Sequence, residues 1–337
     1  MRTELMPVTA ASIALAASLM KEGELVAFPT ETVYGLGADA LNGKAVLGIF
    51  AAKGRPADNP LIAHICDKAD LAPLVTWVDA RTRALMDAFW PGPLTLVLPR
   101  SRAVPNEVCA GLSTVAVRMP SHPAARMLIR ELGKPIAAPS ANRSGKPSPT
   151  TAQHVYEDMN GRIPLILDGG PCGVGVESTV LDLTGETPVL LRPGGVTAEM
   201  LREYLPRLRV HNAVLHPLAS GQEARSPGMK YKHYAPQAAV TIVRGTPQQI
   251  AARYDASVAA GKKTAILCAG AAPYGERRTF ALGSDAGEMA SRLFAALRAM
   301  DEEGIEVAFA EETPTEGMGL ALTNRLLRAA GFCVEEG

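Results

Sequence analysis

Short apolar runs separated by polar turns cover the first two thirds of the chain. Such runs, rich in aliphatic and β-branched residues and bounded by Gly, Pro and Asp, are typical of strands. They lie at residues 24–29, 61–66, 94–99, 114–119, 135–139, 163–167, 178–183 and 188–192. Apolar residues at helical spacing predict helices over 9–22, 43–52 and 122–133. Strands and helices therefore interleave to about residue 205, which predicts an α/β domain with a large, twisted mixed sheet.

The hydrophobic pattern is lost after this point. Residues 206–236 show no clear period, and they contain SPGMKYKHYAP, in which Tyr231 and His233 lie among lysines between glycine and proline. Long connections without regular structure are usually linkers or functional lids, and a cluster of Lys, His and Tyr favours an active-site lid. A plain tether between domains is the alternative.

Strands and helices alternate again in the C-terminal part of the chain, over a shorter length. Strands are predicted over 239–245, 264–270 and 307–311, and helices over 291–304 and 320–330. This pattern indicates a small parallel-sheet domain of the doubly wound, Rossmann-like type, although no G-x-G-x-x-G fingerprint is present. We therefore predict a first domain over 1–205, a linker or lid over 206–236 and a second domain over 237–337.

Composition and charge narrow the class of protein. With 337 residues, the chain is long enough for two domains. Its 34 Lys and Arg balance 34 Asp and Glu, so any anion binding must be local. No apolar stretch approaches the ~20 residues that span a bilayer. The five cysteines are odd in number and far apart, which argues against a disulfide framework or a zinc site and favours the cytoplasm.

Polar loops follow several of the predicted strands. The segment PIAAPSANRSGKPSPT (135–150) crowds hydroxyl, amide and ammonium donors beside glycine and prolines, as a loop that faces a phosphate chain would. A surface loop has the same composition. Similar loops recur at 29–37, 53–61 and 173–180, and together they indicate one polar cleft. No Walker A loop, G-x-S-x-G elbow or H-x-x-x-H pair occurs, so nucleotide binding would use an unusual set of loops.

Four charged or titratable residues are candidates for the site. Lys53 and Arg55 flank Gly54 after the helix 43–52, so both cations can face one substrate, although most such pairs are surface charges. Arg118 interrupts the apolar strand VAVRMP, and a buried charge needs a partner, either a substrate carboxylate or an acidic residue of the protein. His64 in LIAHIC is either a ligand-binding residue or a core histidine.

An ordered set of eight motifs carries a family resemblance. They are PTETVYGLG, KGRP with NPL, WPGPLT, VAVRMPSHP, APSANRSGKPSPT, ESTV, LRPGG and SPGMKYKHYAP. Together they resemble the long, two-domain form of the L-threonylcarbamoyladenylate synthases, the Sua5/YrdC family. The resemblance covers essentially the whole chain and shows no departure at the Lys-x-Arg and Ser-x-Asn positions. It implies a YrdC-like catalytic domain followed by a Sua5-type C-terminal domain.

The resemblance also implies a reaction. L-threonine, bicarbonate and ATP give threonylcarbamoyl-AMP and pyrophosphate, for the t6A modification of tRNA by a downstream threonylcarbamoyl transferase. The enzyme would thus be a nucleotidyltransferase without a membrane partner, and direct contact with tRNA is left open. Magnesium is expected, with Asp58 and Glu177 the nearest carboxylates and no protein ligand assigned.

Individual site residues follow from the resemblance. The catalytic residues would be Lys53 and Arg55, which suit neutralisation of phosphate charge. L-threonine would lie near Thr32, His64, Arg118 and Ser178, with its carboxylate on Arg118. ATP would lie near Arg55, Asn59, Thr114, Ser140, Asn142, Ser148, Arg192, Tyr231 and His233, the last two closing over the nucleotide.

Two other functions are compatible with a polar cleft. A cationic face could bind tRNA or double-stranded RNA directly, but residues 1–210 contain 21 Lys and Arg against 20 Asp and Glu, too balanced for the usual electrostatic footprint. A carbamoyl-transfer domain that acts on another small substrate would use the same cleft.

Overall fold

The structure is a computed structural model that describes residues 2–218 and 234–337. These residues form two compact units. The first contains residues 2–144, 148–214 and 218, and the second contains 145–147, 215–217 and 234–337.

The first unit contains seven helices and eleven strands. Its helices are α1 (Ala10–Lys21), α2 (Gly43–Lys53), α3 (Ala80–Phe89), α4 (Asn106–Cys109), α5 (Pro123–Leu132), α6 (Ala152–Met159) and α7 (Ala198–Tyr204). Its strands are β1 (Glu4–Pro7), β2 (Val26–Phe28), β3 (Gly35–Asp39), β4 (Ile62–His64), β5 (Leu94–Pro99), β6 (Thr114–Arg118), β7 (Ile136–Ala138), β8 (Leu165–Asp168), β9 (Thr179–Asp182), β10 (Val189–Arg192) and β11 (Arg209–Val210).

The eleven strands form one mixed sheet in the order β1-β8-β2-β3-β7-β4-β6-β5-β9-β10-β11. Strand β6 lies near its centre, parallel to β4 and antiparallel to β5. Its last residue, Arg118, is opposite His64 on one side and Thr95 on the other. Adjacent strands therefore place three polar side chains at one level of the sheet.

Helices α1 and α5 cover part of this sheet with an apolar face. Ile13 and Leu128 belong to a buried cluster that also includes Phe28 and Leu167 from the strands. Helix α1 begins with a capping box, in which Thr9 accepts a hydrogen bond from the backbone of Ser12 and the Ser12 side chain accepts one from the backbone of Thr9. Local capping and burial thus agree on where this helix begins.

The second unit is a smaller sheet with helices. Its strands are β12 (Ala239–Arg244), β13 (Thr264–Cys268), β14 (Thr279–Ala281), β15 (Val307–Glu311) and β16 (Val334–Glu336), and its helices are α8 (Pro247–Ala259), α9 (Ala286–Glu302) and α10 (Met318–Ala329). The strand order is β14-β13-β15-β12-β16, and every pair is parallel. The predicted small parallel sheet is confirmed, since α8, α9 and α10 each join two parallel strands that have one other strand between them.

The periodicity predicted most elements of both units. The first three predicted helices and all eight predicted strands of the first unit are present, with ends shifted by a few residues. Helix α9 begins at Ala286 rather than 291, because the Asp285 side chain accepts hydrogen bonds from the backbone of Gly287 and Glu288. Strand β11 lies inside the segment 206–236 predicted as a linker, while residues 219–233 are outside the described residues.

Strand β3 was missed because its sequence, GLGAD, reads as a loop. The structure explains the glycine at 37: a Cβ there would meet Ile136, Met20 and Phe28 side chains at 2.7–2.8 Å. Glycine is needed for close packing at this position, not for a turn. No helix in residues 2–218 or 234–337 is both long and apolar enough to cross a bilayer.

Candidate active site

Arg118 is the centre of a buried polar cluster in the first unit. It is 3 % exposed at the end of β6. Its Nε donates to the carbonyl of Gly92 at 3.3 Å, its Nη1 donates to Oγ1 of Thr32 at 2.9 Å, and its Nη2 lies 2.7 Å from Oε1 of Glu31. The prediction that this charge is paired is confirmed, and the partner in the structure is an acidic residue of the protein.

Sequence reasoning missed Glu31 as a site residue, although it lies in the motif PTETVYGLG. Its side chain is 15 % exposed. Burial acts to raise the pKa of Glu31, but the positive charge and close approach of Arg118, together with the backbone N–H groups of Glu31 and Ser121 near the carboxylate, outweigh it and hold the pKa below its usual value. Glu31 is therefore an ionised carboxylate inside the protein. The signal that could have found it is its place beside Thr32 in a motif already assigned to the site.

His64 lies beside Arg118 on the neighbouring strand. It is 4 % exposed, and its Nδ1 is 3.1 Å from the carbonyl of Ile62, which can accept a hydrogen bond from the ring. Burial, with the charge of Arg118 as the second cause, lowers the pKa of His64 to about 3. The imidazole is therefore neutral at physiological pH.

Ser178 and Arg192 form the next part of the cluster. The Ser178 hydroxyl is 2.7 Å from the Thr95 hydroxyl, and Arg192 donates to the Ser178 carbonyl at 3.0 Å and to its Oγ at 3.2 Å. Gly194 follows in the motif LRPGG, and a Cβ there would come within 2.4 Å of the backbone nitrogen of Thr179. The glycine thus lets the two segments approach closely enough for the arginine to reach the serine.

Lys53 and the Ser-x-Asn motif form a second cluster. Lys53 is the last residue of α2, one position beyond the predicted end of that helix, and Gly54 ends the helix with φ +62°. The Lys53 ammonium donates to the carbonyl of Ser140 at 2.5 Å, to the carbonyl of Asn142, and to Oδ1 of Asn142 at 3.3 Å. The two motifs that are far apart in sequence are thus in direct contact.

Arg55 is held separately from Lys53. Its Nη2 donates to the carbonyl of Asn59 at 3.0 Å, and its guanidinium lies 5.7 Å from the centroid of the Phe50 ring. Both residues are buried, Lys53 at 4 % and Arg55 at 8 % exposure. Buried cations on a short, glycine-containing turn are unlike surface charges, and this favours the site interpretation of the Lys-x-Arg motif.

Backbone contacts join the two clusters. The backbone nitrogen of Ala141 donates to the Tyr34 carbonyl at 2.8 Å, and that of Tyr34 donates to the Pro149 carbonyl at 2.9 Å. The Ser148 hydroxyl donates to the carboxylate of Glu177, the residue that precedes Ser178. The loop that carries Thr32 and the loop that carries Ser140 and Asn142 therefore belong to one polar region.

One described residue of the predicted site, Thr114, is separate from this contact network. Thr114 begins β6, about 13 Å from Arg118 at the usual rise of a strand. Tyr231 and His233 lie outside the described residues. Among residues 2–218 and 234–337, no group of three or more His, Cys, Asp or Glu side chains could hold a metal ion. Of the two carboxylates considered for magnesium, Glu177 accepts the Ser148 hydrogen bond and Asp58 is exposed.

The fold and the site define a class of protein. It is a two-unit α/β protein whose larger, mixed sheet carries a polar site with four buried cations: Lys53, Arg55, Arg118 and Arg192. Cations with hydroxyl and amide groups in a water-poor site bind anionic small molecules such as a nucleotide or an amino acid.

Comparison with known proteins identifies the family. A family model for Sua5, YciO and YrdC proteins, described as "Telomere recombination", matches residues 18–194. A second, described as "Threonylcarbamoyl-AMP synthase, C-terminal domain", matches residues 196–331. The chain therefore belongs to the Sua5/YrdC family, in its form with both domains.

Individual relatives agree with this assignment. Threonylcarbamoyl-AMP synthases from Pyrococcus abyssi and Bacillus subtilis are 50 % and 48 % identical, and each comparison covers 95 % of this chain and 94 % or 93 % of the relative. The crystal structure of P. abyssi Sua5 complexed with L-threonine has a TM-score of 0.95 and 48 % identity, over 99 % of this chain and 100 % of that one. The predicted family and fold are confirmed.

Proposed function

We propose that this chain is a threonylcarbamoyl-AMP synthase that converts L-threonine, bicarbonate and ATP to threonylcarbamoyl-AMP and pyrophosphate. Relatives of that name match nearly the whole chain, and a structurally similar relative was crystallised with L-threonine. The observation that carries the proposal is the contact between Lys53 and the Ser140–Asn142 segment, because it brings the Lys-x-Arg and Ser-x-Asn motifs into one buried site.

In this proposal, L-threonine binds around Arg118. The guanidinium receives the substrate carboxylate, and Thr32, His64 and Ser178 provide polar groups for the rest of the amino acid. A neutral His64 suits this role, since it accepts a hydrogen bond from the substrate hydroxyl or amine without adding a positive charge beside Arg118.

In the same proposal, ATP binds to the remaining polar groups of the site. Arg55, Asn59, Ser140, Asn142, Ser148 and Arg192 bind its phosphates and ribose, and Thr114, Tyr231 and His233 complete the predicted set. Positive charge from buried arginines is effective on phosphate because little water competes for it. The predicted domains, 1–205, 206–236 and 237–337, stay part of the proposal.

The reaction requires positioning more than covalent catalysis. The carbamate formed from threonine and bicarbonate attacks the α-phosphate in line, pyrophosphate leaves, and the new bond is a mixed anhydride. Lys53, fixed by two backbone carbonyls, holds a positive charge at one place, where it neutralises charge on the carbamate and phosphate as they approach. Arg55 does the same for the leaving phosphates.

Magnesium, the cellular location and the downstream step complete the proposal. The described residues offer no cage for a divalent cation, so the metal is assigned to ATP oxygens and water rather than to protein ligands. We propose a cytoplasmic nucleotidyltransferase whose product, labile in water, passes to a tRNA threonylcarbamoyl transferase. Similarity to named synthases favours this function over a module that binds RNA directly.

Pyrophosphate release by the purified protein tests the proposal. With ATP and magnesium present, release is expected only when threonine and bicarbonate are both added, and it should fall when serine replaces threonine. Release that is independent of threonine, or that responds equally to carbamoyl phosphate, would contradict the proposal. Tight, salt-dependent tRNA binding without any ATP turnover would instead support the RNA-binding function.

A further inference from the structure

Glu31 and Arg118 form an ion pair that leaves polar atoms of both residues without hydrogen bonds. Both carboxylate oxygens of Glu31 and Nη2 of Arg118 are shielded from solvent. Within residues 2–218 and 234–337, none of these three atoms has a hydrogen-bond partner of normal geometry, although Oε1 and Nη2 are only 2.7 Å apart. The two charges attract each other, but the hydrogen bonds that the buried atoms need are incomplete.

Such an arrangement is unfavourable by itself. A buried charge needs hydrogen bonds as well as an opposite charge, and the groups that remain unsatisfied carry the full cost of desolvation. Two buried groups of opposite sign, side by side, are complementary to a ligand that carries both signs on neighbouring atoms. An α-amino acid in its zwitterionic form is such a ligand, since its ammonium has three donors and its carboxylate has four acceptor positions.

We propose that Glu31 binds the ammonium group of the amino-acid substrate while Arg118 binds its carboxylate. This inference rests on the proposed function, because it concerns the threonine end of that site. It adds a specificity-determining residue: Glu31 selects an α-amino acid over the corresponding α-hydroxy acid, and Arg118 alone would not make that distinction.

The surroundings of Glu31 support this role. Its backbone is held in place, since its carbonyl accepts a hydrogen bond from the Val174 nitrogen at 2.8 Å. The other titratable groups that feel its charge are neutral at physiological pH. Burial lowers the pKa values of His64 and His122 and raises that of Cys172 to about 12. Glu31 is therefore an anion that an ammonium group can meet in this part of the site.

A rival interpretation makes the opposite prediction. If the Glu31 carboxylate only occupies the place of the substrate carboxylate and is displaced by it, then removal of its charge frees Arg118. Threonine would then bind more tightly to a Glu31→Gln variant. If Glu31 binds the ammonium, threonine binds more weakly. The sign of the change therefore distinguishes the two.

Calorimetric titration of the full chain with two ligands tests the proposal. The ligands are L-threonine and 2,3-dihydroxybutanoate of matching configuration, in which a hydroxyl replaces the ammonium. The wild-type protein should bind threonine at least ten times more tightly than the hydroxy acid. Glu31→Gln should lose threonine affinity about 10- to 100-fold, the size of a charge-assisted hydrogen bond, and should bind both ligands about equally. Glu24→Gln, the same change at an exposed site of the first unit, should behave as wild type.

Each other outcome contradicts a particular claim. Equal binding of the two ligands by the wild type, or unchanged or tighter threonine binding by Glu31→Gln, would overturn the role of Glu31. Absence of threonine binding in the wild type would overturn the proposed function itself. Glu31→Asp keeps the negative charge on a side chain that is one methylene shorter. If this variant still prefers threonine and Glu31→Gln does not, the preference is due to the charge. Thermal unfolding of each variant confirms that the folded protein is being titrated.

Discussion

One ion pair of the first unit, Arg118 with Glu31, differs in burial from the described ion pairs of the second unit. In the first unit, the Arg118 and Glu31 side chains are 4 % and 15 % exposed. In the second unit, every side chain in the described ion pairs is at least 32 % exposed, as in Arg277–Asp255 and Lys262–Glu306. Exposed pairs contribute about 0–1 kcal/mol to stability, whereas desolvation of a buried pair can cost more than its attraction returns. Stability alone therefore does not explain why Arg118 and Glu31 are buried together.

Burial of an arginine alone does not mark such a site. Arg298, Arg325 and Arg328 of the second unit are also buried. Arg325 donates to the Asn324 side chain at 2.7 Å and lies 5.7 Å from the Tyr234 ring, and Arg298 donates to the Pro147 carbonyl at 2.7 Å. What distinguishes Arg118 is a buried carboxylate next to it, with atoms of both groups lacking hydrogen bonds among the described residues.

The largest expected effect comes from breaking the buried pair. Arg118→Met should lower the free energy of unfolding by about 3–5 kcal/mol, because it leaves the Glu31 carboxylate buried without its partner. The double variant Glu31→Gln with Arg118→Met should recover most of this loss. Urea unfolding of the wild type, the two single variants and the double variant gives the coupling energy between the two side chains. A double variant as unstable as Arg118→Met would show that arginine packing, not charge pairing, stabilises this region.

Loss of Lys53 should affect turnover more than folding. Lys53→Ala removes the fixed positive charge and is expected to reduce pyrophosphate release about 100- to 1,000-fold, the cost of losing one transition-state contact. Lys21→Ala is the matched control, because Lys21 is the last residue of α1 as Lys53 is of α2, but it is exposed. Equal turnover in the two variants would remove Lys53 from the mechanism.

His64 should make stability depend on pH. Its pKa is about 3 when folded and about 6.5 when unfolded, so between these values the unfolded state binds one more proton. The free energy of unfolding should therefore fall as pH falls below about 6.5, by about 1.4 kcal/mol per pH unit. Glu31, with its lowered pKa, acts in the same direction but only below about 4.5.

Urea unfolding between pH 7 and pH 5 measures the contribution of His64 to stability separately from that of Glu31. In this range, the free energy of unfolding should change less with pH for His64→Gln than for the wild type. The difference in slope should be the contribution of one proton. Parallel curves for the two proteins would mean that His64 is accessible to water and protonates in the native state.

The smallest effect is expected in the second unit. Arg277→Met removes the exposed pair with Asp255 and should change the free energy of unfolding only slightly, because solvent already screens these charges. The effect should shrink further in 1 M salt, since exposed charges are screened. A loss as large as that of Arg118→Met would erase the contrast between the two kinds of ion pair.

Local pattern was sufficient for most of the secondary structure and for several site residues. The helical spacing over 9–22 and the strand pattern around Arg118 depend on neighbours in sequence, so they were readable without a fold. The same holds for the Lys-x-Arg and Ser-x-Asn motifs, but their contact through Lys53 and Ser140 is seen only in the structure. Strand β3 was not readable, because its glycines serve packing against residues from other elements.

The sequence by itself determined the fold class, the family and the residue types of the site, because periodicity, turn chemistry and motif order are local properties of the chain. Only the tertiary structure decided that Glu31 is the partner of Arg118, that His64 is neutral and that Thr114 lies at the far end of β6. Strand order brings Glu31 and Arg118 together from distant parts of the chain, and burial sets the charge state of His64 through desolvation. Both depend on neighbours that no local pattern specifies.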